Sequence, residues 1–160
     1  MSENSILFLD TGEMLEVPHD GKGDFCLDDL VKFNVFDIDS ETWKKHPEVI
    51  IFGDSCKNIG YGLFSSCFSL KHVKFGANIE YIGIDAFYEC SMIQDIVIKD
   101  NVEGIGENAF YRCRNLKNVV FGKKMKNLGD SSFAYCTSLE KIIFNDDLEL
   151  IGENAFLNCT

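Results

Sequence analysis

Five cysteines at one constant spacing are the side chains of this sequence with the greatest potential for chemistry. They are Cys67, Cys90, Cys113, Cys136 and Cys159. Thiols can form disulfides, but equivalent residues of stacked units have parallel Cα–Cβ vectors, which do not suit the bond. A metal ion needs ligands that converge on one point, and a row does not converge. We therefore expect no metal site and interpret these cysteines as small apolar side chains inside the fold.

Other side chains that could act in catalysis lack a suitable arrangement. The three histidines, His19, His46 and His72, stand in no spacing typical of a catalytic nucleophile with its base or of a metal site. Acidic residues recur at the start of the turn in four of the five units, at Asp85, Glu107, Asp130 and Glu153. Capping of backbone N–H groups explains them better than acid–base catalysis. We therefore expect a protein that is not an enzyme and that holds no cofactor.

The charge of the chain disfavours two classes of partner. The 160 residues carry a formal net charge of -11, which opposes direct binding to nucleic acid or to an anionic membrane. Hydrophobic residues make up 46% of the chain, enough for a folded core. No uncharged apolar run approaches the length of about 20 residues that a membrane span needs. We expect one folded domain.

The N-terminal residues and the cysteine count indicate a reducing compartment. The stretch from Met1 to Leu9 lacks the basic region and the long apolar region of a signal peptide. The chain has 7 cysteines, an odd number, and no Cys-x-x-Cys pair, which favours free thiols over a disulfide framework. We therefore expect a cytoplasmic protein.

The cysteines belong to a longer repeat with the same period. Glycine and phenylalanine recur at the same interval as cysteine, at Gly60, Gly83, Gly106, Gly129 and Gly152 and at Phe64, Phe87, Phe110, Phe133 and Phe156. The shared unit is I-G-x-x-A-F-x-x-C-x-x-L-x-x-V-x-F-G. Its L-x-x-V-x-F part alternates apolar and polar residues and predicts a short strand with one buried face. Its first part predicts a short helical turn, so the repeat predicts a solenoid of stacked parallel strands.

The repeat unit resembles that of a known family. The segment from Ile105 to Phe121, IGENAFYRCRNLKNVVF, closely resembles the BspA-type leucine-rich repeat, and the likeness recurs over residues 59–160. This resemblance implies a right-handed leucine-rich solenoid that binds proteins or surface ligands, often on secreted or cell-surface proteins of bacteria and protists. The predicted fold class is therefore an α/β leucine-rich-repeat solenoid with a parallel strand ladder, short helical turns and an N-terminal α+β cap.

The domain organisation follows from the repeat. Residues 49–160 are predicted to form about five 23-residue coils, and residues 1–48 an acidic cap in the same structural unit. Within the cap, Ser5 to Leu9 and Met14 to Val17 predict a hairpin, while short helices are predicted over residues 26–33 and from Ser40. Since the last repeat stops before its strand, we expect either a truncation or a homodimer through an uncapped C-terminal coil.

The outer face of the predicted strand ladder is the main candidate for binding a protein partner. If Val73 and its equivalents point inward, the alternating residues point outward, and one outward row is mostly β-branched aliphatic. Exposed aliphatic rows mark interfaces, although strand propensity or cover by the cap would also explain them. The predicted partner-binding residues are Ile51, His72, Lys74, Val97, Val120 and Ile143.

The acidic cap is the alternative surface. Residues 10–41 contain ten Asp and Glu against two Lys. They could block a basic site on a nucleic-acid enzyme, as an inhibitor that mimics nucleic acid and is encoded by a mobile element, or they could only keep the domain soluble. The residues of this alternative are Asp28, Asp29, Asp37, Asp39 and Glu41. A fragment of a surface adhesin array is a further alternative.

Overall fold

The computed structural model describes residues 5–9, 14–17, 24–25 and 47–160. All regular secondary structure in these residues is strand, and three strands precede the repeats: β1 Ser5–Leu9, β2 Met14–Val17 and β3 Asp24–Phe25. Within these ranges no helix is long and apolar enough to span a membrane.

Each coil of the repeat region contributes two strands on two different sides of the solenoid. The longer strands are β4 Pro47–Ile51, β6 His72–Lys74, β8 Asp95–Val97, β10 Asn118–Val120 and β12 Lys141–Ile143. The shorter ones are β5 Asn58–Ile59, β7 Tyr81–Ile82, β9 Gly104–Ile105, β11 Asn127–Leu128 and β13 Leu150–Ile151. The sequence analysis predicted the longer set and missed the shorter set.

The strands of successive coils pair in parallel and in register. The shorter strands form one six-stranded sheet in the order β13-β11-β9-β7-β5-β3, and the longer ones form two sheets, β2-β1-β4-β6 and β12-β10-β8. Asn118 pairs with Lys141 and with Asp95, which are the equivalent residues of the next coil and of the previous one. The predicted parallel-strand solenoid is therefore confirmed.

The first two strands coincide with the predicted hairpin. β1 pairs antiparallel with β2, with Ser5 opposite Val17, and also with β4. β3 pairs in parallel with β5. β1 and β3 thus each pair with the first strand of one ladder, and β2 pairs with β1. The predicted helices over residues 26–33 and from Ser40 lie outside the described residues, as does most of the predicted cap.

Where a helical turn was predicted, each described repeat has a non-helical turn. An α-helix would direct every amide to the carbonyl four residues earlier. In the second coil the Ala86 amide donates instead to Gly83 O at 3.3 Å, while the next amide, that of Phe87, donates to Ala109 O of the following coil at 2.8 Å. This alternation requires left-handed backbone at two positions per repeat, with φ of 55° at Asp85 and 57° at Glu89. Hydrogen bonds between coils therefore replace those of the helix.

The phenylalanine row is the predicted core. Phe64, Phe87, Phe110 and Phe133 are fully buried, and their rings stack with centroid distances between 5.1 and 5.7 Å. The glycine of each unit permits this close stacking of coils. A Cβ at Gly106 would lie 2.6 Å from the backbone nitrogen of Ile84 in the coil before.

The cysteine row lines the interior beside these rings, as predicted. Each thiol after the first donates to the carbonyl of a phenylalanine in the preceding coil, such as Cys113 Sγ to Phe87 O at 3.3 Å and Cys136 Sγ to Phe110 O at 3.2 Å. Burial raises the pKa of the Cys113 thiol well above its ordinary value. The described cysteines are free thiols. Cysteine therefore suits this position because it is small and can donate to a carbonyl inside the core.

Candidate functional site

The outward residues of the longer strands form a surface that we call the sheet face. It comprises the six residues predicted from the sequence, Ile51, His72, Lys74, Val97, Val120 and Ile143. In β8 the side chain of Ile96 is fully buried, whereas the next residue, Val97, is 53% exposed. Strand geometry explains this contrast, since neighbouring side chains point to opposite sides of a sheet.

The structure brings three of the six residues together in one row. Val97, Val120 and Ile143 are register partners on adjacent strands of the same sheet. Ile143 is 43% exposed and Val120 is half-buried between its two neighbours. The result is a continuous aliphatic strip across β8, β10 and β12.

The other three residues lie on the sheet that contains the N-terminal hairpin. Half-buried Ile51 is the register partner of exposed Lys74, and Val49 is that of exposed His72. Since β6 and β8 belong to separate sheets, Lys74 separates Ile51 from the aliphatic strip. This end of the sheet face is therefore more polar than the other.

A polar row runs beside the aliphatic strip. Asp95, Asn118 and Lys141 are register partners, and Asn118 Nδ2 donates to Asp95 Oδ1 at 2.6 Å. Lys141 is exposed. An apolar strip with a polar border is the usual anatomy of a protein interface.

The residues of the alternative acidic surface, Asp28, Asp29, Asp37, Asp39 and Glu41, lie outside the described residues. Some of the acidic residues that the structure does describe form ion pairs between coils. Glu48 accepts from Lys71 at 2.7 Å and Glu103 from Lys126 at 3.3 Å, each lysine standing one repeat further along the chain. Glu103 also lines a polar groove of about 310 Å³ between Lys57 and Lys124. Within the described ranges, no group of three His, Cys, Asp or Glu residues could hold a metal ion.

The sequence analysis missed a depression of about 230 Å³ that we call the arginine pocket. It is lined by Phe68, Glu89, Ser91, Arg112 and Arg114. These residues come from the turns of three successive coils. A signal for it was present, because Arg112 and Arg114 are the only arginines of the chain and stand two residues apart.

The last coil exposes side chains that are buried in the coils before it. Ile151 is 50% exposed, whereas the equivalent Leu128 is fully buried, and Phe144 is far more exposed than Phe121. The acidic residues Asp146, Asp147 and Glu149 lie in the same coil and are exposed. The coil that carries β12 and β13 therefore presents an apolar surface with acidic residues around it.

Comparison with known proteins identifies the repeat. A family model described as BspA type Leucine rich repeat region matches residues 38–160 in 6 copies. No curated protein matches the chain.

Two solved structures are similar to the chain. One is a leucine-rich repeat protein from Bacteroides ovatus, with 26% sequence identity and a TM-score of 0.54 over 65% of this chain and 33% of that chain. The other is a leucine rich cell surface protein from Faecalibacterium prausnitzii, with 21% identity and a TM-score of 0.42 over 69% of this chain and 41% of that chain. The chain thus spans less than half the length of either protein.

Proposed function

Because the chain belongs to the BspA-type leucine-rich repeat family, we propose that it is a non-catalytic protein-interaction module that binds a protein partner through the sheet face. The observation that carries this proposal is the aliphatic strip of Val97, Val120 and Ile143. Val97 and Ile143 are exposed and Val120 is half-buried, whereas the alternate residues of the same strands supply the core. A contiguous exposed apolar strip with a polar border favours a docking surface.

The test is a double substitution of the strip. Val97→Asp with Val120→Asp places two carboxylates on the strip, and both side chains point away from the core, so the fold is expected to survive. Loss of apolar contacts at the centre of an interface costs about 2 kcal/mol or more, which is about 30-fold in affinity. Ile84→Asp is the matched control, since Ile84 is an exposed aliphatic residue outside the sheet face.

The measurement is capture from native lysate on immobilised protein, followed by identification of the bound proteins and titration of the purified partner. We expect a partner that is retained by the wild type and by Ile84→Asp, that remains bound at high salt, and that is lost by the double variant. Unchanged affinity of a double variant with a native circular dichroism spectrum contradicts the proposal. Apolar contacts are insensitive to screening, so salt separates this proposal from the acidic inhibitor, whose binding must weaken steeply with salt.

We further propose that the last coil forms the contact of a homodimer. Support comes from Ile151 and Phe144, whose equivalents in preceding coils are buried against the next coil. Light scattering over a concentration series is expected to show a dimer for the wild type and a monomer for Ile151→Asp. Added salt should strengthen the dimer, because it screens repulsion between acidic residues such as Asp146 and Asp147 of the two copies. A monomer at all concentrations contradicts this contact.

The remaining hypotheses stay predictions. The acidic inhibitor and the surface adhesin fragment are alternatives that no described residue favours over the sheet face. The cytoplasmic location likewise stays a prediction from the thiols and the N-terminal residues.

A further inference from the structure

The arginine pocket holds one guanidinium group in a fixed orientation. Arg112 Nη1 lies 2.9 Å from Glu89 Oε1, and the guanidinium carbon lies 5.3 Å from the ring centroid of Tyr111 and 5.7 Å from that of Tyr135. The hydrogen bond to Glu89 raises the pKa of Arg112, so the group is always charged. One carboxylate occupies only part of the five N–H donors of a guanidinium, which leaves donors for a ligand.

The second guanidinium group of the pocket is available. Arg114 is exposed and has no ion pair or hydrogen bond with any of the residues that the structure describes. Two residues apart in the same turn, Arg112 and Arg114 line the same depression together with Ser91. The pocket thus offers donors from two guanidinium groups.

Besides its two arginines, the pocket is lined by aromatic Phe68 and by polar Glu89 and Ser91. Phe68 lines it and is 47% exposed, and Met92, next in sequence to Ser91, is also exposed. The side chains of Tyr88 and Tyr111 stack beside it with ring centroids 5.1 Å apart. Aromatic residues, methionine and arginine are the residue types enriched at protein interfaces.

The charge of the pocket is opposite to that of the chain. Its two guanidinium groups outnumber the single carboxylate of Glu89, although the whole chain carries -11. Glu89 would also repel a doubly charged phosphate more strongly than a carboxylate. Guanidinium groups can bind carboxylates through paired N–H donors. In the pocket, Arg112 donates a single hydrogen bond to Glu89, from Nη1 to Oε1.

We propose that the arginine pocket binds an acidic side chain of a peptide segment in which an aromatic or aliphatic residue follows the acid. The carboxylate accepts from Arg114 and Arg112, and the apolar neighbour contacts Phe68. The pocket lies on turns that lead into β8 and β10, beside the sheet face. The inference does not depend on the sheet-face proposal, because a short peptide reaches only the pocket.

The test is a titration monitored by the backbone amide signals of the ¹⁵N-labelled protein. The probes are acetyl-Glu-Phe-amide and acetyl-Gln-Phe-amide, which differ only in the carboxylate. We expect saturable shifts at Ser91, Arg112 and Arg114 with the acidic probe. Affinity for the Gln probe should be about tenfold lower, since a hydrogen bond to a charged group is lost.

Variants locate the binding to the pocket. Arg114→Gln is expected to lower the affinity for the acidic probe about tenfold. Lys117→Gln, which removes an exposed cation outside the pocket, should leave the affinity for this probe unchanged. Ser91→Glu adds a carboxylate to the pocket wall and should weaken binding as well, which keeps the test open if Arg114→Gln misfolds. The proposal is overturned if the two probes bind with equal affinity, or if both pocket variants bind the acidic probe as tightly as the wild type does. It is also overturned if inorganic phosphate binds more tightly than the acidic probe.

Discussion

The stacked phenylalanines make a quantitative prediction about where stability resides. Phe110 is fully buried, and its ring lies 5.2 Å from that of Phe87 and 5.1 Å from that of Phe133. Phe110→Ala removes the ring from between two others and leaves a cavity that rigid coils cannot close. Such truncations cost about 3 to 5 kcal/mol. Because each coil contacts only its two neighbours, Phe110→Ala removes packing contacts from two coil interfaces at once.

Phe156 is the matched control at the end of the same row. It stacks on Phe133 at 5.6 Å but is only half-buried, because no coil among the described residues covers its other side. Phe156→Ala should therefore cost roughly half as much as Phe110→Ala, since less area is removed from contact.

The assay is urea unfolding followed by circular dichroism at pH 7. With a urea dependence of about 2 kcal/mol per molar, the expected losses are midpoint shifts of about 2 M for Phe110→Ala and about 1 M for Phe156→Ala. The reasoning is refuted if the two variants show equal midpoint shifts, or if the shift for Phe110→Ala is below about 0.5 M. Either result would mean that burial between two rings does not determine the loss in free energy of unfolding.

Two further predictions concern the thiols and the glycines. Burial raises the pKa of Cys113 and, to a smaller extent, that of half-buried Cys159, so thiolate is scarcer at Cys113 at any given pH. Iodoacetamide at pH 8 should therefore label Cys159 long before Cys113, as measured by peptide mass spectrometry, and the reverse order would contradict the burial. Gly106→Ala should lower the melting temperature more than Gly62→Ala. A Cβ at Gly106 meets backbone at 2.6 Å, whereas at Gly62 it meets nothing within 4 Å and has only the strain of a φ of 57°. Similar melting temperatures for the two variants would show that coil spacing tolerates a methyl group.

The period of the sequence predicted most of the solenoid because each coil repeats one chemical pattern. Apolar residues three after each cysteine, and the Val and Phe that follow, specify which side of the longer strands is buried. Ile96 and Val119 are accordingly buried, while Val97 points outward. The predicted hairpin agrees with β1 and β2 for a similar reason, since alternating residues around a turn sequence favour antiparallel pairing.

The turn and the second ladder were not predictable in the same way. An acid and an Asn before Ala-Phe, as at residues 107–110, are typical of a helix start, but here the amides of Asn108 and Phe110 donate to the next coil. The helix propensity of a segment does not account for hydrogen bonds that its amides donate to carbonyls of the following repeat. The shorter strands, such as β9, contain two residues each, too few for any alternation to be recognised.

The sequence by itself therefore determined the period, the buried rows and the interior position of the cysteines, because these depend on side-chain type repeated at one spacing. Only the tertiary structure decided which amides bond between coils, and therefore that the turns are not helical. It also decided that Phe68, Ser91 and Arg114, from three different coils, line one pocket. Stacking brings equivalent positions of different units together, and the residues that differ from the repeat at those positions give the surface its chemistry.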